Sequence, residues 1–123
     1  MVFVDTNVFV YAVGRPHPLR EPAQTILREH MTAGTSLATS AEVLQELLHA
    51  YLPVQRMETL DAALTLANDL TTVLPVDASD VRAARDLVTS HAGLGARDLL
   101  HVAVASRHGA SEILSFDRAL VAV

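Results

Sequence analysis

Short apolar runs recur along the chain, separated by longer stretches with a helical period. The first run, at residues 1–4, has no polar alternation and stops on Asp5. Runs at 36–38, 72–76 and 112–116 have the same character. A strand covered on both faces needs no polar side, so these four read as strands of a parallel sheet. Between them, residues 18–33 set Leu19, Ala23, Ile26, Leu27 and Met31 at helical spacing. Pro22 suits the first turn of that helix and Gly34 its C-terminal stop. Helical patterns also cover "TNVFVYA", residues 41–51 and residues 56–70. "DASDVRAARDLVTSHAG" reads as a fifth helix, with Asp77 or Ser79 as N-cap and Gly93 beyond its end. "ARDLLHVAVASRHG" reads as a sixth, stopped by Gly109.

Strands alternating with helices predict an α/β fold: a three-layer α/β/α sandwich with a central parallel sheet and helices on both faces. Residues 1–123 read as one domain, without repeats or linkers. In such sheets, sites form beyond the carboxyl ends of the strands, near the point where strand order reverses. Asp5 and Asp117 each follow the end of a predicted strand, so pairing of the first and last strands brings them together.

Composition narrows the chemistry. The chain has no cysteine, which excludes disulfides and thiolate metal sites. It has no lysine either; all nine basic residues are arginine, so a P-loop and a receiver domain's lysine switch are excluded. No apolar run approaches the roughly 18 residues of a membrane span, and the start lacks a basic leader, so the expected location is the cytoplasm. The net charge of −5 argues against a general attraction to nucleic acid. A mean hydropathy of +0.30 predicts that a partner covers some apolar surface.

Four acids stand out. Asp5 reads either as a helix cap or as part of a chemical site, since Asn7 can cap equally well. Glu42 and Glu46 lie one turn apart on the third helix, but Thr39-x-x-Glu42 is a capping box that gives Glu42 a structural role. Glu46 sits on an otherwise apolar stripe with Val43, Leu47 and Ala50, where a carboxylate needs water, a partner or a metal. Asp98 suits the first turn of its helix, and its face continues inward through His101, Val102 and Ala105. Asp117 either caps a last helical turn or joins the site, with Ser115 placed to support it. His49 and His101 lack a second histidine at helical spacing and read as satisfied or partly exposed. Glu58, Asp61, Asp69, Asp80 and Asp86 read as solvated faces or caps. Four carboxylates brought together repel one another unless cations intervene. Hard divalent ions with oxygen ligands fit such a cluster and serve phosphodiester hydrolysis.

"VDTNVFVYA", "AEVLQELLHAY", "ARDLLHVAVA" and "ILSFDRAL" together resemble the PIN-domain family, and most closely the VapC-type toxins of bacterial toxin–antitoxin pairs. The likeness runs over essentially the whole chain. It implies that Asp5, Glu46, Asp98 and Asp117 surround a Mg2+ or Mn2+ site. Thr6 is expected to help hold the water that such an ion activates, Asn7 to brace the loop, and Ser115 to fill the small hydroxyl position before the last acid. The resemblance implies an endoribonuclease acting on single-stranded RNA, a homodimer, and inhibition by a cognate antitoxin lying across the third and fourth helices and the site. One departure is the end of the sequence six residues after Asp117, where many relatives carry a longer tail. Arg15, Arg97 and Arg118 lie near the motifs and read as phosphate-steering or as plain surface arginines. The competing readings are a catalytically silent PIN-like protein-interaction module and a receiver-type signalling domain. Retention of all four acids argues against the first, and absence of lysine against the second.

Overall fold

The computed structural model describes residues 1–122. In chain order the elements are β1 (Val2–Val4), α1 (Thr6–Val13), α2 (Arg20–Thr32), β2 (Leu37–Ser40), α3 (Ala41–Tyr51) and α4 (Met57–Leu70). They continue with β3 (Thr72–Leu74), α5 (Ala78–Asp86), α6 (Ala96–Arg107), β4 (Glu112–Leu114) and α7 (Arg118–Val121). The four strands form one parallel sheet in the order β3-β2-β1-β4. The chain steps outward from β1 to β2 to β3, then returns past its starting point to place β4 on β1's other side. Right-handed crossovers running in one direction put their helices on one face, and the reversal puts the next pair on the other. The contacts follow that rule: α1 to α4 pack among themselves, and α5 packs with α6.

β1 is buried at every position, as its unbroken apolar run requires. Phe3 and Phe9 are fully enclosed, and each such burial contributes about 1.5–3 kcal/mol. Val8, Val43, Leu47, Leu60 and Val104 complete the centre of the core. β1 registers with β4 as Val2 with Glu112, Phe3 with Ile113 and Val4 with Leu114. The expected pairing of first and last strands is therefore present, and it sets the residues after Val4 beside those after Leu114.

Several expected boundaries hold. Pro22 falls in the first turn of α2, and Gly34 and Gly109 take the left-handed φ of +73° and +72° that suits glycine beyond a helix end. Asp77 is the N-cap of α5, in a reciprocal capping box with Asp80. Others move. α5 ends at Asp86, well short of Gly93; the next residues, Leu87, Val88, Thr89 and Ser90, include β-branched and hydroxyl side chains that favour turns. The last two strands are three residues each, and β2 instead extends through Ser40. That extension overturns the expected Thr39–Glu42 capping box. Thr39 pairs with Val73 in the sheet and donates its hydroxyl to the Val4 carbonyl at 2.8 Å. Ser40 caps α3 in its place, accepting from the Val43 N–H at 3.3 Å.

Candidate metal centre

The sheet's reversal point lies between β1 and β4, and the candidate side chains gather at the carboxyl ends of those strands. Asp5 and Asp117 are each the N-cap of the helix that follows. Asp5 Oδ1 accepts from Thr6 N–H at 2.8 Å, and Asp117 Oδ1 accepts from Ala119 N–H at 3.0 Å. Capping therefore does not compete with membership of the site, because each cap uses one carboxylate oxygen.

Ser115 joins the two strand ends. Its hydroxyl donates to Asp5 Oδ2 at 2.7 Å and accepts from the Asp117 N–H at 2.9 Å. Asn7 braces this joint from α1: its amide donates to Ser115 Oγ at 3.2 Å, and its Oδ1 accepts from the Phe116 N–H at 3.2 Å. These contacts fix the rotamer of Asp5 from two elements at once.

Glu46 arrives from the middle of α3, on the buried stripe that carries Val43 and Leu47. Its Oε2 accepts the Thr6 hydroxyl, and its Oε1 lies 2.9 Å from His101 Nε2. His101 Nε2 is also 3.6 Å from Asp5 Oδ1. Asp5, Glu46 and His101 thus offer one ligand atom each within 4.8 Å of one another. His101 is the residue the sequence reading placed too far from the chemistry. It is buried, packs its ring 5.7 Å from Phe3, and sits inside the acid cluster. The signal was present in the three-residue spacing from Asp98, which puts both side chains on one face of α6. His49, by contrast, is exposed on α3.

Charge and burial act on these groups unequally. Burial pushes Asp5 above its ordinary value, against the lowering influence of the Ser115 hydroxyl and the His101 charge. Burial also raises Asp98, and the neighbouring charges of Asp5, Asp117 and Glu46 raise it further. For Glu46 burial alone would raise the carboxyl. The hydrogen bonds from His101 and Thr6 and the charges of His101 and Arg97 outweigh that, and it lies low. Burial would depress His101, but the Glu46 hydrogen bond and the Glu46, Asp5 and Asp98 charges hold it above its ordinary value. The arrangement is a net-negative pocket in which the His101 ring, its proton affinity raised by the surrounding acids, is the one basic group.

Asp98 and Asp117 stand at the rim, half-buried, outside the tight trio but close enough for their charges to act on each other. Arg97 is exposed on the first turn of α6, with its charge felt by Glu46. Arg15, in the loop after α1, and Arg118, at the start of α7, are exposed and form no ion pair among the described residues. Glu42 lies one turn from Glu46 on α3, in a groove shared with Arg85 and Arg97. Asp80, read as a solvated face or a cap, serves in the α5 capping box, but it is 1% exposed rather than solvated and is bound by the Arg107 guanidinium. None of the helices among the described residues is long and apolar enough to cross a membrane.

The PIN-domain family profile matches residues 2–123. Ribonuclease VapC23 of Mycobacterium tuberculosis (strain CDC 1551 / Oshkosh) is 57% identical over 120 residues, spanning 98% of this chain and 95% of that protein. Ribonuclease VapC13 of Mycobacterium tuberculosis (strain ATCC 25618 / H37Rv) is 40% identical over 119 residues, 96% of this chain and 91% of the relative. Among solved structures, Mycobacterium tuberculosis VapC20, described as a sarcin-ricin loop cleaving toxin, superposes with a TM-score of 0.81. It does so at 20% identity, over 99% of this chain and 94% of that one. VapBC2 from Rickettsia felis, bound to a DNA fragment from its promoter, superposes with a TM-score of 0.69, also at 20% identity, over 95% of this chain and 88% of that one. The structural likenesses speak to the fold, and the sequence matches, carried over nearly the full length, speak to descent: the chain belongs to the PIN-domain family, among its VapC ribonucleases.

Proposed function

We propose that this chain is an endoribonuclease that hydrolyses single-stranded RNA with a hard divalent cation, Mg2+ or Mn2+, as the toxin of a toxin–antitoxin pair. One observation carries the reading: Asp5, Glu46 and His101 converge at the sheet's reversal point, with Asp98 close enough to feel both carboxylates. The names of the relatives, ribonucleases at 57% and 40% identity, support it. The residues fit a hard cation. The donors are carboxylate oxygens, and burial with mutual repulsion raises Asp5 and Asp98, a cost that a cation relieves.

Asp5, Glu46, Asp98 and Asp117 are the residues assigned to hold the ion. When bound, such an ion activates water and offsets charge building on the scissile phosphate. The remaining roles belong to the chain's own groups. Ser115 and Asn7 fix the Asp5 carboxylate, and Thr6 fixes Glu46 from the opposite side. His101 fixes Glu46 through the contact of its Nε2 with Oε1 and lies beside Asp5. Arg15, Arg97 and Arg118 offer forks to RNA phosphates flanking the cut. The expected products are a 5′-phosphate and a 3′-hydroxyl.

Two protein partners and a location complete the proposal. A cognate antitoxin covers α3 and α4, where Leu48, Leu52, Val54 and Met57 leave an exposed apolar corner. A second copy of the chain forms a homodimer through another face. The working unit is a single domain of residues 1–123 in the cytoplasm.

The test is RNA cleavage by purified protein in Mn2+ or Mg2+, against EDTA and against Asp5→Ala prepared identically. Cleavage that requires the ion and disappears in folded Asp5→Ala is the expected result. Equal cutting by both proteins exposes a contaminant, and no cutting by a folded, ion-loaded wild type on any cellular RNA moves the silent-module reading ahead.

A further inference from the structure

Asp98 and His101 both ride on α6, so the acid cluster is only as well formed as that helix is placed. The end carrying Asp98 lacks a side-chain cap and is held by Leu99 against α5 and by His101 on Glu46. Its N-cap is Gly95, which makes no side-chain hydrogen bond, and residues 87–93 leading to it are turns. Asp98 also meets the charges of Asp5, Asp117 and Glu46. That repulsion favours movement of α6 away from the strand ends.

The other end is fastened. Arg107, in the last turn of α6, sets its guanidinium fork on Asp80, with Nε 2.6 Å from Oδ1 and Nη2 3.0 Å from Oδ2. Nη2 also donates to the Pro75 carbonyl at 3.2 Å, and Asp80 Oδ2 accepts from the Asp77 N–H at 2.9 Å. One side-chain pair therefore ties together the chain after β3, the start of α5 and the end of α6. Asp80 is fully enclosed, so losing its partner leaves an uncompensated buried charge. A small apolar cluster of Ala84, Leu99 and Ala103 continues the α5–α6 contact from this fork toward Asp98.

We propose that Asp80 and Arg107 are positioning residues of the nuclease: by clamping the far end of α6 to α5 and β3, they hold Asp98 and His101 against the strand ends. The clamp acts over nine residues of helix, about 14 Å at 1.5 Å per residue. It rests on the reading of the acid cluster as a cation site, and the test separates the two.

The experiment measures Mn2+ dissociation constants by electron paramagnetic resonance, without RNA, alongside melting temperatures of the ion-free proteins. The proteins are wild type, Arg107→Gln, Arg107→Lys, Asp98→Asn and the double variant Arg107→Gln/Asp98→Asn. Arg107→Gln is expected to weaken Mn2+ binding at least five-fold in protein that circular dichroism shows to be folded, and raising Mn2+ is expected to recover cleavage. Arg107→Lys, which keeps the charge but loses the fork, falls between. Substitutions this far apart ordinarily add, but the clamp predicts that Arg107→Gln lowers the melting temperature less when Asp98 is already neutral. An unchanged Mn2+ constant together with additive melting shifts overturns the proposal. If Arg107→Gln does not fold, Arg107→Lys carries both comparisons. If wild type binds no Mn2+, the cation reading fails, and the clamp stands or falls on the melting cycle alone.

Discussion

Asp5 uses one carboxylate oxygen to cap α1 and the other to take the Ser115 hydroxyl, while its charge faces His101 and Glu46. Its neighbours titrate in a way that fixes how the ion-free protein responds to pH. The Asp98 carboxyl sits above its ordinary value of 3.8. Between the two values the folded chain holds a proton that the unfolded chain has released, so stability falls as pH rises through that interval. His101 acts in the same sense. Its folded value lies above 6.5, so its contribution is complete below 6.5 and is lost as pH climbs through the folded value. Glu46 opposes them: its carboxyl lies below 4.5, so its contribution is present above 4.5 and is lost as pH falls through the folded value. The ion-free protein is therefore expected to melt highest in mild acid and lower at neutral pH and above. Asp98→Asn should flatten the part of that decline in the carboxylate range and melt no lower than wild type at pH 7, while losing cleavage. Mn2+ competes for the same sites as these protons, so its affinity should rise with pH. Calorimetric melting in EDTA and Mn2+ titrations across pH 5–8 check both signs; a domain unfolded by Asp98→Asn makes Asp98 a structural cap.

At the scale of elements, α3 separates the two glutamates that the sequence set one turn apart. Glu46 stands out because a carboxylate on an otherwise apolar stripe needs water, a partner or a metal, and the structure sets it against Thr6 and His101. The expected capping role of Glu42 fails because β2 runs on through Ser40 and the Thr39 hydroxyl is donated to the Val4 carbonyl of β1 rather than free to cap. Ser40 is the cap, so Ser40→Ala should cost about 1 kcal/mol of stability. Glu42→Gln should cost almost none and leave single-turnover cleavage near wild type. Urea unfolding and a cleavage time course on both variants check this pair; a folded Glu42→Gln without activity means that the wrong glutamate was assigned to the ion. The remaining elements were readable to the extent that their signals are local. Apolar runs, Asp77, Gly34 and Gly109 mark ends that the structure keeps. The partners of Asp80 and His101 are not readable, because Arg107 and Glu46 lie 27 and 55 residues away and only the packed sheet brings them close; the helical face that His101 shares with Asp98 is the one local signal.

At the scale of the whole molecule, the exposed apolar side chains mark the faces on which the proposed second copy of the chain would sit. Val81 and Val88, seven residues apart along one side of α5 and its exit, are 56% and 46% exposed. They border a groove of about 360 Å3 that also receives Leu99, Glu42, Arg85 and Arg97. Neither Glu42 nor Arg85 forms an ion pair among the described residues, so this face offers one charge of each sign beside an apolar centre. A two-fold contact sets the same patch against itself, so that residue i meets residue j and j meets i. A patch with an apolar middle and both charges suits that symmetry, which makes it the face to test for the proposed homodimer. Sedimentation velocity is then expected to show a dimer for wild type and a monomer for Val81→Asp, with circular dichroism unchanged because Val81 lies on the surface. Reversal of one charge, Glu42→Arg or Arg85→Glu, should weaken the dimer, and the two reversals together should restore it if these groups meet across the axis. A wild type that sediments as a monomer at tens of micromolar removes the dimer from the proposal. A Val81→Asp protein that remains dimeric moves the interface to another face, with the apolar corner at Leu52 and Val54 as the next surface to alter.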